Sequence, residues 1–81
     1  MREATLVRRR ATRWTVNVDA IERARILHGW TLVELSRVAH VDRGTLADLL
    51  NGRRQPTLGT VQAIATALGL AMAEVILFEQ P

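Results

Sequence analysis

The residues able to do chemistry in this chain are few in kind. It contains no cysteine, which removes thiolate nucleophiles, disulfides and thiolate metal sites. Its histidines, His28 and His40, lie too far from a third ligand to suggest zinc. The carboxylates Asp19, Glu22, Glu34 and Asp42 each stand where an apolar-periodic stretch begins, a place that explains them as helix caps rather than proton carriers. No glycine-rich phosphate loop is present, so the reading is a binding protein, with no enzyme activity, cofactor or metal expected.

What remains is charge. All 11 basic residues are arginine, and they are unevenly spread. Residues 1 to 13 hold Arg2, Arg8, Arg9, Arg10 and Arg13 against Glu3, or +4; the rest holds six arginines against seven acids, or −1. A basic arm therefore precedes a nearly neutral body. At 81 residues there is room for one small core and one site. The N-terminus has no apolar run of signal-peptide or membrane-spanning length, so an intracellular, cytoplasmic protein is expected.

The elements that must position these residues centre on Thr31 to Gly52. Thr31 and Glu34 form a capping box for a helix whose Leu32, Leu35, Val38 and Ala39 supply an inward stripe. Asp42 opens a second helix with Leu46, Leu49 and Leu50 inward and Asn51-Gly52 as its stop. Only His40 and Val41 intervene, and a turn that short makes the helices cross steeply, so Arg43, Gly44, Ala47 and Asp48 project from the body. Before this unit, Asp19 and Glu22 are expected to cap a helix ending at Gly29; after it, Thr57 caps a helix from Leu58 to Leu68 stopped by Gly69. A poorly capped fifth helix is predicted from Met72 to about Phe78. Its Val75, Ile76, Leu77 and Phe78 are consecutive apolar residues, more than one face can bury, which points to a partner. In the arm, Trp14, Val16 and Val18 alternate with Thr15 and Asn17 as a strand would, and Thr5 to Val7 is also β-prone. A hairpin with Arg8 to Arg13 at its tip and a strand paired with a second subunit are both open. Trp14 and Trp30 are expected in the core, beside apolar neighbours.

From about residue 19 to residue 78 the chain resembles the Cro and lambda-repressor-like (Xre) helix-turn-helix family. Leu35 and Ser36 stand at its apolar and small positions, Leu46 and Leu49 at its later apolar ones, and A-D-L-L-N-G resembles the run into its post-helix glycine. There are three departures. His40 replaces the usual turn glycine, and histidine tolerates the left-handed region better than most residues. Leu32 stands where many members carry a phosphate-touching glutamine, and Leu50 where many carry a glutamate partner for the arginine at Arg25, leaving Glu22 to serve.

The resemblance implies an all-α, five-helix domain over residues 19 to 81, preceded by a basic arm at 1 to 18. It implies a DNA-binding transcriptional regulator, a dimeric repressor reading a palindromic operator and associated with the nucleoid. Base reading would fall to Arg43, Gly44, Thr45, Ala47 and Asp48. Phosphate anchoring would fall to Thr31, Leu32, Asn51, Gly52, Arg53, Arg54 and Thr57, with Arg8, Arg9, Arg10 and Arg13 adding arm contacts. The dimer would close through Val75, Ile76, Leu77 and Phe78. Two rival readings compete: a protein-interaction module, such as the antitoxin of a toxin-antitoxin pair, and an RNA-binding protein acting through the arm.

Overall fold

The computed structural model describes residues 13–79. Their order is β1 (Arg13–Val16), α1 (Val18–Leu27), α2 (Leu32–Ala39), α3 (Arg43–Leu50), α4 (Leu58–Leu68), α5 (Met72–Val75) and β2 (Ile76–Glu79). Five helices surround one core, as expected, and α4 is its axis, packed against α1, α2 and α5, while α2 also packs on α3. Ile21, Leu35, Leu46, Val61, Ile64 and Val75, one or more from every helix, are all fully buried there.

The helix ends follow from side-chain chemistry. Thr31 Oγ1 accepts from Glu34 N–H while Glu34 Oε1 accepts from Thr31 N–H, the capping box expected at α2. Asp42 and Thr57 cap α3 and α4 in the same sense, accepting from Thr45 and Thr60 N–H. The start of α1 differs from expectation: Asn17, not Asp19, is the cap, its Oδ1 accepting from Ala20 N–H. Asp19 lies in the first turn and Glu22 turns to Arg25, whose Nε donates to it at 2.9 Å.

Each of α1 to α4 ends in a paired return bond closed by a left-handed residue, at Gly29, His40, Gly52 and Gly69. At α2 the closing residue is His40, with φ 57° and ψ 40°, and Val41 N–H reaches Ser36 O at 3.0 Å. The turn thus tolerates histidine, but at a cost in a conformation that strains any Cβ. His40→Gly should raise stability by about 1 kcal/mol, read as a shift in urea midpoint at unchanged slope.

Two expectations about packing are corrected. Val38 is 46% exposed. Ser36 completes the buried row of α2 with Leu35 and Ala39, its hydroxyl satisfied by donating to Val33 O. The fifth helix stops after one turn at Val75, and Ile76 is extended. Asn17 explains the stop: its N–H donates to Val75 O at 2.8 Å and its Nδ2 to Glu74 O at 3.2 Å, drawing the chain out of the helical path. Ala71 offers no side-chain cap, and the β-prone Ile76, Leu77 and Phe78 become strand β2.

That strand pairs antiparallel with β1, Trp14 opposite Phe78 and Val16 opposite Ile76. The strand expected around Trp14 therefore exists, paired with this chain's own C-terminal segment. Thr5 to Val7 and the arginines Arg8, Arg9 and Arg10 lie outside the described residues. Trp14 and Trp30 are half-buried against the core, as expected.

Candidate nucleic-acid interface

The α2-turn-α3 unit presents one helix and buries its support. On α3, Leu46 and Leu49 are at most 2% exposed and anchor the helix, while Arg43 and Gly44 are exposed and Thr45, Ala47 and Asp48 half-exposed. The five residues expected to read bases are thus on the accessible part of one two-turn helix. Gly44 serves the cap as well: a Cβ there would meet the Asp42 carboxylate at 3.1 Å. Neither acid holds Arg43. Asp42 is engaged by Thr45 N–H, and Asp48 faces Arg54 at 3.6 Å, so among the described residues Arg43 has no ion-pair partner.

The expected anchoring residues surround this helix. Thr31 and Thr57 are exposed caps at the starts of α2 and α4, where the first N–H groups, those of Leu32 and Val33 and of Leu58 and Gly59, have no partner within the helix. The two starts differ electrostatically. At α2 the Thr31 N–H and hydroxyl hold the Glu34 carboxyl below its usual range, so a negative charge already sits there. The first turn of α4 has no acid, which makes it the better seat for an anion.

Asn51, Gly52, Arg53 and Arg54 are exposed in the loop leaving α3. This loop is held in place. Arg53 N–H returns to Asp48 O at 2.8 Å, Gln55 Nε2 donates to Trp14 O at 3.3 Å, and Pro56 is buried. Gln55 and Asn17 were not singled out for these contacts by sequence reasoning, because their partners lie 41 and 57 residues away. Arg25, by contrast, finds the partner expected: Glu22 takes its Nε and Nη2, and Nη1 donates to Trp30 O at 2.7 Å. His28 is structural, its Nε2 donating to Leu68 O at 3.0 Å and its ring stacked on Trp30.

The residues expected at a dimer contact divide. Val75, at the end of α5, is fully buried in this chain's own core and Ile76, at the start of β2, is half-buried against it; Leu77 and Phe78 remain 49% and 65% exposed. Phe78 borders an apolar groove of about 490 Å³ with Trp14, Leu58, Met72, Ala73 and Ile76. Arg13 is exposed at the start of β1. Among the described residues no helix is long and apolar enough to cross a membrane.

Two short helices at a tight turn, the second exposed along one face and rooted by leucines, define a helix-turn-helix unit. Residues 21–75 match the Helix-turn-helix family, and the chain belongs to it, in its Cro and lambda-repressor-like branch. It is 37% identical over 59 residues to the transcriptional regulator ClgR of Mycobacterium tuberculosis, a match spanning 73% of this chain and 53% of that protein. It is 36% identical over 59 residues to the immunity repressor protein of Bacillus phage phi105, spanning 73% of this chain and 39% of the repressor. The match thus spans about half of ClgR or less of each relative. In fold it is similar to the crystal structure of the transcriptional regulator VanUg, with a TM-score of 0.63 at 20% identity over 88% of this chain and 91% of that one.

Proposed function

We propose that this chain is a sequence-specific DNA-binding transcriptional regulator, acting as a repressor-type homodimer on an imperfect palindrome. The observation that carries the reading is the exposed face of α3, with Arg43 unpaired among the described residues and its backbone fixed from behind by Leu46 and Leu49. The relatives' names, transcriptional regulator and immunity repressor, support it. In this reading Arg43 donates to a guanine edge, Ala47 meets a thymine methyl, Asp48 accepts from a cytosine amino group, and Thr45 adds a hydroxyl. Gly44 lets the helix approach closely. The starts of α2 and α4, Asn51, Gly52 and Arg53 hold phosphates and set the register. Leu77, Phe78 and the adjoining groove supply the surface for a second copy.

A second reading, a module that binds another protein through the groove, is favoured by one observation: residues 13 to 79 carry seven arginines and seven acids, so the folded body adds no net positive charge. In the DNA reading the arm compensates, its arginines meeting phosphates or a minor groove. Competition between duplex DNA and RNA, with and without residues 1 to 12, tests both. The expected result is preference for duplex DNA in either form, with weaker binding and a flatter salt dependence once the arm is removed. Preference for RNA that disappears with the arm would make the arm an RNA-binding segment instead, and no binding to either would favour the protein-binding module.

A further inference from the structure

The two arginines of the loop after α3 are adjacent in sequence but differ in circumstance. Arg53 has no ion-pair partner among the described residues, whereas the Arg54 guanidinium lies 3.6 Å from the Asp48 carboxylate of the reading helix. The return bond from Arg53 N–H to Asp48 O ties the loop to α3, while the Gln55 bond to Trp14 O ties its far end to β1 and Pro56 is buried, so the loop backbone is fixed at both ends with Arg54 within reach of Asp48. We propose that Asp48 sets specificity by holding Arg54: the pair withholds one cation from the phosphates of any duplex and is exchanged only where a base offers Asp48 a donor. This rests on the DNA-binding reading above.

Magnitudes allow the exchange. Side chains left 54% and 35% exposed form a solvent-screened pair. Such a pair is worth at most about a fivefold factor, which a cytosine amino group can replace. Arg54 is then free for the backbone. On a site without that donor, breaking the pair leaves a carboxylate facing phosphate, so the pair stays closed and one contact is missing.

Five proteins test this on a random duplex across a salt series: wild type, Asp48→Asn, Arg54→Ala, the double variant of those two, and Arg53→Ala, each checked by thermal unfolding. Asp48→Asn should tighten binding about two- to fivefold and steepen the log-log salt slope by about 0.9, one added phosphate contact. Arg54→Ala alone should flatten the slope less than Arg53→Ala does. In the Arg54→Ala background, Asp48→Asn should leave the slope unchanged. An equal effect of Asp48→Asn in both backgrounds would overturn the proposal, since Asp48 would then act only as a negative charge near DNA. No effect in either would overturn it too. A wild-type chain that binds no duplex in a salt-sensitive way would overturn the DNA-binding reading, and this proposal with it.

Discussion

Leu46→Ala should destabilise the protein by about 2 to 5 kcal/mol, a large fraction of the stability a domain of this size has. Leu46 is fully buried and lies on the helix proposed to read DNA, among a core that also contains Leu35, Val61 and Ile64. Truncation removes the transfer free energy of three carbons, one methine and two methyls, and leaves a cavity that rigid neighbours fill only in part. Leu27 supplies the contrast: it is 81% exposed and away from the groove, so Leu27→Ala should shift stability by no more than about 0.5 kcal/mol. Urea unfolding of the two variants side by side checks this. Comparable losses would mean that α1 depends on Leu27 and that Leu46 does not anchor the core.

Arg43→Ala should leave stability almost untouched and cost about 1 to 3 kcal/mol in binding to the best site, with preference relaxed at one base pair. Alanine is the better helix former, and the exposed Arg43 side chain has no partner among the described residues to lose. The competing acids are occupied, Asp42 by Thr45 N–H and Asp48 by Arg54. The guanidinium is therefore available to the two acceptors of a guanine edge. Arg53→Ala, in the loop, should instead weaken best site and random duplex alike. If Arg43→Ala does the same, Arg43 is a phosphate clamp, and readout passes to Thr45, Ala47, Asp48 or DNA shape.

The helix-turn-helix was legible because local chemistry specifies it. Thr31 with Glu34, Asp42, Thr57 and the stops at Gly29, Gly52 and Gly69 act within four residues of themselves, and the leucines repeat at helical spacing. Even the departure at His40 could be read, since the turn required a left-handed residue whatever its identity. What escaped depends on distant pairing. Residues 75 to 78 look like the continuation of a helix until Asn17, nearly sixty residues earlier, takes the carbonyls of Glu74 and Val75. The C-terminal run then pairs with Trp14 and Val16, a partner that no local pattern names. Arg54 is near Asp48 in sequence, but the two meet only because the loop after α3 folds back, which helical spacing does not specify.

The measurement that bears most directly on the central claim is selection of bound duplexes from a random pool by the full chain, with the mass of the selected complex determined. The expected result is an enriched imperfect palindrome, its half-sites about 34 Å or one helical turn apart, occupied by two copies of the chain. Within each half-site one guanine should depend on Arg43 and one cytosine on Asp48. A pool that stays random after repeated rounds, while the chain remains folded, would contradict the claim that this helix reads sequence.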